Sequence, residues 1–200
     1  NLIGETMEEV ILDAEHYGAF IMGYMAQDYL TIANFTLVNG FEKSSNLFWL
    51  DDHRDGETDK ITVKNIHIKD SWAIGGAFVI MSCHDLTVDN LIIEDSQVGN
   101  GFVIYAYETG VFSNFRVQRL SATNYDMYSS SCTGGGIAKP LRAASLNTTI
   151  DISNFLITDI VDTSQFWPNI SSGLSIAVEG GNCDLTINNC TIANNSSITQ

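Results

Sequence analysis

Two hundred residues carry 24 acidic against 9 basic side chains, a formal net charge of −15, while charged residues make up only 16% of the chain. This balance excludes the basic footprint of a DNA- or RNA-binding protein, and it repels anionic polymers unless cations bridge them. The length suits one domain, 1–200, with a sizeable core, and no apolar run approaches a membrane span.

The opening NLIGETMEEVILDAE (1–15) reads as a partial repeat. It starts at Asn1 without Met, so a processed product or a piece of something longer is expected. From residue 30 one phrase recurs six times: apolar-x-apolar-x-Asn-apolar-x-apolar. It appears as LTIANFTL (30–37), ITVKNIHI (61–68), LTVDNLII (86–93), GVFSNFRV (110–117), IDISNFLI (150–157) and LTINNCTI (185–192). The shared residue is Asn34, Asn65, Asn90, Asn114, Asn154 and Asn189, at gaps of 31, 25, 24, 40 and 35 residues. Apolar residues alternate with period two, break phase at the Asn, and alternate again, so two short strands joined by a sharp bend are predicted. Asn tolerates the left-handed backbone such a bend needs. Stacked copies would align the six amides in a ladder.

A third strand precedes each phrase: GAFIM (18–22), NLFWL (46–50), GAFVIM (76–81), GFVIY (101–105), GGIA (135–138) and GLSIAV (173–178). In the last copy Ser175, Ala177 and Glu179 form a polar face, which turns Leu174, Ile176 and Val178 inward. Aligning the other copies to it leaves Phe20, Met22, Phe48, Leu50, Phe78, Ile80, Phe102 and Ile104 facing out, an apolar stripe that a partner should cover. Residues 41–60, 121–133 and 162–172 exceed the minimal repeat and are expected as loops.

These strands, the repeat length and the asparagine bend predict an all-β, right-handed single-stranded parallel β-helix of about six coils. NLIGE followed by VILDAE, GGGI (134–137) and INNCTIANNSS (187–197) carry the resemblance. Over nearly its whole length the chain resembles the pectin-lyase-like β-helix superfamily. Its repeats look like those of polymorphic outer-membrane and related surface proteins. The resemblance implies a fold that hosts lyases, hydrolases, adhesins and fibres alike.

Catalytic residues are sparse. The loop DDHRDGETD (51–59) offers Asp51, Asp52 and His53 as weak candidates for acid–base work on a glycosidic bond, or for holding Ca²⁺. The polygalacturonase-like pattern of this superfamily asks for Asn-Thr-Asp, Asp-Asp, Gly-His-Gly and Arg-Ile-Lys. Only Asp51–Asp52 has a counterpart; His53 and His84 lack flanking glycines. A solvated charged loop is the simpler reading. Tyr24, Tyr105 and Tyr107, with Trp49 nearby, could stack on sugar rings or merely pack on strands. A row of Thr31, Thr62, Thr87 and Thr186 reflects ordinary strand propensity.

Cys83, Cys132, Cys183 and Cys190 show no metal-ligand spacing, and no metal or cofactor is expected. A Cys132–Cys183 bridge stays open, and Cys190 fills an apolar slot of the phrase. Sequons at Asn147, Asn169, Asn194 and Asn195 are expected to carry glycans, whereas Asn34 and Asn189 belong to the ladder. The expected protein is an extracellular or cell-surface structural or adhesive module, one unit or fragment of a longer or assembled solenoid. It would associate end to end with itself or continue into further coils. The alternative is a carbohydrate-binding or carbohydrate-active β-helix.

Overall fold

The structure is a computed structural model that describes residues 1–24, 29–51, 60–122, 134–139, 146–162 and 173–197. Among these residues it is all-β and holds no helix, and its parallel sheet curls into a half-barrel. In chain order the strands are β1 (Leu2–Ile3), β2 (Ile11–Asp13), β3 (Ile21–Tyr24), β4 (Tyr29–Val38), β5 (Phe41–Glu42) and β6 (Phe48–Asp51). There follow β7 (Lys60–Lys69), β8 (Trp72–Ser113), β9 (Arg116–Ala122), β10 (Gly135–Lys139), β11 (Thr148–Ser153) and β12 (Leu156–Thr158). The last five are β13 (Val161–Asp162), β14 (Leu174–Val178), β15 (Cys183–Asn188), β16 (Thr191–Ala193) and β17 (Ser196–Ser197).

Each phrase pairs in parallel with the next copy of itself. Leu30 lies opposite Ile61, Ile61 opposite Leu86, Ile92 opposite Arg116, Gly110 opposite Ile150, and Ile150 opposite Leu185. The pairing offsets equal the spacing of the repeat, so equivalent side chains line up in columns. Those on the inner face form the core: Ile61, Val63, Ile66, Ile68, Leu86, Val88, Leu91 and Ile93 are all buried. Aromatic rings continue the columns deeper in the chain. Phe115 and Phe155 stack with centroids 4.2 Å apart and planes 9° off parallel. Phe102 meets both edge-on. Below Phe102 the column needs a residue without a side chain, because a Cβ on Gly135 would run into the Phe102 ring.

The expected outward stripe is a misassignment. Phe48, Phe78, Ile80, Phe102 and Ile104 are fully buried and Leu50 nearly so, all within the core, and Phe20 packs against it; only Met22 is exposed, at 51%. The pairing explains the error. Ile21, not Phe20, lies opposite Phe48, and Met22 lies opposite Trp49. Ile104 shares the column of the inward Ile176, since both lie opposite Ile137. These strands are apolar at successive positions, so alternation does not set their phase, and an alignment one residue off turns every side chain over. The stripe therefore supplies no reason for self-association.

Asp51 also departs from expectation. It is the last residue of β6, pairs with Met81, and is 3% exposed rather than solvated.

The two outermost layers are open. Leu2 and Leu12 lie opposite the buried Ile32 and Leu37, yet are 44% and 36% exposed. At the other edge Ile187 and Ile192 continue the columns of the buried Ile152 and Ile157, and are 46% and 49% exposed.

Candidate functional site

The asparagine bends are the first organised polar feature. All six have positive φ, between 52° and 67°. Asn34 Nδ2 donates to the Gly4 carbonyl at 2.9 Å, Asn65 to Asn34 Oδ1 at 2.8 Å, and Asn90 to Asn65 Oδ1 at 2.9 Å. Asn154 donates to Asn114 Oδ1 at 3.0 Å and Asn189 to Asn154 Oδ1 at 3.3 Å. Between these runs Asn114 turns aside and donates to Asp89 Oδ1 at 2.7 Å, an oxygen that also accepts from Ser113 Oγ. A charged acceptor outcompetes the neutral amide of Asn90.

A second column of left-handed bends follows five residues behind the first: Asn39, Asp70, Asp95, Arg119, Asp159 and Asn194, with φ between 50° and 57°. At three of these bends the side chain of the residue that follows serves the preceding repeat. Ser71 Oγ accepts from the Gly40 N–H, Ser96 Oγ from the Ser71 N–H, and Asn195 Oδ1 from the Ile160 N–H. The serine hydroxyls donate back to the carbonyls of Lys69 and Glu94, and Asn195 Nδ2 donates to the Ile157 carbonyl. This ladder was not anticipated. Its signal was the fixed five-residue offset from the first ladder.

The densest charge cluster sits beside this bend and spans three repeats. His67 Nε2 lies 2.9 Å from Glu94 Oε1, with both side chains less than a fifth exposed. Glu94 Oε2 accepts from Gln118 Nε2 at 2.6 Å and Arg119 Nη2 at 2.8 Å. Arg119 also forks onto Asp95, Nε to Oδ1 at 2.6 Å and Nη2 to Oδ2 at 2.8 Å. Burial pushes the His67 pKa below its ordinary value, against the hydrogen bond and charge of Glu94. The neutral ring with its proton on Nε2 satisfies the contact by donating to Glu94. For Glu94 burial acts upward, but hydrogen bonds from Gln118, Arg119 and His67 outweigh it and hold the carboxyl below its ordinary range. Arg119 holds Asp95 low, chiefly through its hydrogen bonds. Both carboxylates are thus spent on neighbours, which suits bracing rather than proton transfer.

A smaller group lies on β8. His84 Nδ1 comes within 3.4 Å of Glu108 Oε1 without hydrogen-bond geometry, and the imidazole meets the Tyr107 ring edge-on at 5.5 Å. This pair was not assembled from the sequence, where His84 figured only for its missing glycines.

Of the expected catalytic residues only Asp51 is among the described residues; Asp52 and His53 lie outside them. Asn169 and Cys132 lie outside as well. Cys83 is buried in the core and Cys190 packs against it. Thr31, Thr62 and Thr87 form one column, and Val111, Asp151 and Thr186 form another at the same strand position. Among the described residues no group of three or more His, Cys, Asp or Glu is placed to hold a metal ion. No helix there is long and apolar enough to cross a membrane. No protein-family model matches the chain, and neither does any curated protein or solved structure.

Proposed function

We propose that this chain is a structural or adhesive module of an extracellular or cell-surface β-solenoid, a right-handed parallel β-helix of about six coils. The observation that carries the reading is the repeat-to-repeat use of polar side chains. Asn34, Asn65 and Asn90 bond to one another in series, Ser71 and Ser96 do the same at the next bend, and Arg119 ties Glu94 and Asp95 to the following repeat. Groups committed in this way stiffen a rod and are unavailable for turnover. The partner is a further layer of the same kind, from another copy end to end or from more coils of the same protein. The exposed Leu2, Leu12, Ile187 and Ile192 support this, since each belongs to a column that is buried in the interior repeats. A layer placed on either edge would bury them and pair open strand backbone.

Sedimentation velocity and negative-stain electron microscopy test the reading. End-to-end assembly yields rods that lengthen with concentration and are shortened by Ile187→Asp. A concentration-independent monomer that also fails to bind cell surfaces contradicts it.

A second reading, a carbohydrate-binding or carbohydrate-active β-helix, is favoured by one observation: the approach of His84, Glu108 and Tyr107. Incubation with neutral and acidic polysaccharides, with and without Ca²⁺, separates the two. Cleavage or retention abolished by Glu108→Gln supports the second reading.

A further inference from the structure

Five sequons fall among the described residues, at Asn34, Asn147, Asn189, Asn194 and Asn195. The fold does not treat them alike. We propose that Asn194 and Asn147 are N-glycan attachment sites and that the other three asparagines are structural. This deepens the extracellular reading above and rests on it.

The overlapping pair Asn194–Asn195 shows the distinction best. Asn195 uses both ends of its amide within the fold: Oδ1 accepts the Ile160 N–H at 3.0 Å, and Nδ2 donates to the Ile157 carbonyl at 3.3 Å. It stands where Ser71 and Ser96 stand in earlier repeats and performs their task of accepting a backbone N–H from the preceding repeat. A glycan on Nδ2 would push that amide out of the ladder and leave the N–H of the buried Ile160 unpaired. Asn195 is thus withdrawn from the expected acceptors.

Asn194 is the neighbouring bend residue, with φ 55° and its side chain in solvent. Its exposure is not an effect of lying in an outer layer. The same bend position in interior repeats is also exposed, at Asp70, Asp95, Arg119 and Asp159. At these positions the column points away from the sheet, so a bulky polar group at Asn194 is open to solvent among the described residues.

Asn147 precedes β11 and is exposed. Its Oδ1 accepts from Asn182 Nδ2 at 3.3 Å, which leaves its own Nδ2, the atom that takes the sugar, pointing to no partner in the ladders. Asn34 differs in both respects. It is half-buried, donates to Gly4, accepts from Asn65, and its sequon Thr36 is 6% exposed with its hydroxyl on the Met7 carbonyl. Asn189 donates to Asn154 in the same ladder.

The test is a site map of the folded, soluble full chain secreted from a glycosylating eukaryotic host. Enzymatic deglycosylation in heavy-oxygen water converts each modified Asn into a labelled Asp, which peptide mass spectrometry locates. Label at Asn194 and Asn147, with none at Asn34, Asn189 or Asn195, is expected. Asn194→Gln should remove one glycan. Asn195→Gln keeps the Asn194 sequon and should leave the glycan number unchanged while lowering the melting temperature. Label at Asn195 or Asn34 in soluble, folded protein, or none at Asn194, overturns the assignment. A wholly unlabelled chain, Asn169 included, counts against both the assignment and secretion through a glycosylating pathway. Label at Asn169 with none at Asn194 or Asn147 sinks the assignment alone.

Discussion

Asn114 gives its side-chain hydrogen bond to Asp89, at 2.7 Å, instead of to Asn90, and so parts the run Asn34, Asn65 and Asn90 from the run that it begins with Asn154 and Asn189. The ladder is therefore two runs spliced at a carboxylate. Removing a residue inside a run should cost more than removing the splice.

Asn90→Ala is expected to destabilise by about 1–3 kcal/mol, through a lost hydrogen bond to Asn65 and a non-Asx residue held at φ 56°. Asp89→Ala should cost less, because Asn114 can then turn to Asn90. Urea unfolding at equilibrium ranks the two. An Asp89→Ala loss larger than that of Asn90→Ala contradicts the splice.

The corrected strand phase predicts unequal costs for two nearby apolar residues. Phe48 is fully buried and stacks on Phe78 at 4.6 Å, so Phe48→Ala should cost about 3–5 kcal/mol. Met22→Ser, at a half-exposed site, should stay within roughly 0.5 kcal/mol. Thermal unfolding of both variants checks the phase.

Acid should weaken the fold in two stages. His67 has its pKa lowered by burial, so the unfolded chain binds more protons than the folded one between the folded value and 6.5. Stability is full above 6.5 and falls as pH drops through that window. Glu94, whose pKa is also held down, adds a loss of the same sign once pH falls below 4.5. Chemical denaturation across pH 3 to 8 should show His67→Gln removing the upper stage, while the lower stage persists because Gln118 and Arg119 still hold Glu94. A stability that rises on acidification from pH 7 contradicts the neutral His67 assignment.

Arg119 sits at a left-handed bend where every other repeat has Asn or Asp. Its fork onto Asp95 compensates, but the side chain is 46% exposed and the attraction is screened by salt. Arg119→Asn should thus lower the melting temperature at low ionic strength and lose that effect, or reverse it, in molar salt. A salt-independent penalty would mean that the bend, not the ion pair, needs Arg119.

Much of this architecture was legible in the residues. The Asn34-to-Asn189 phase was readable because one residue type recurs at one break in an alternating pattern. The second bend was not, because Asn39, Asp70, Asp95, Arg119, Asp159 and Asn194 share a backbone requirement but no single chemistry. The strand around Phe48 was misphased because Leu47, Phe48, Trp49 and Leu50 are all apolar, and only the pairing of Ile21 with Phe48 sets which of them lies under the sheet. Asp51 looked like the start of a solvated acidic run, but it ends a strand and is buried. Glu94 and Arg119 are distant in sequence from His67, so their meeting depends on the repeat offsets, which composition does not reveal.

The central claim is that successive phrases lie side by side in parallel, each in register with its own copy. Nuclear Overhauser contacts measured on isotope-labelled protein test it most directly. The account predicts cross-peaks between the side-chain amides of Asn65 and Asn90, and parallel-strand contacts linking Ile61 with Leu86 and Val63 with Val88. Antiparallel contacts between these segments, or Asn65 and Asn90 amides without mutual contact, would contradict it.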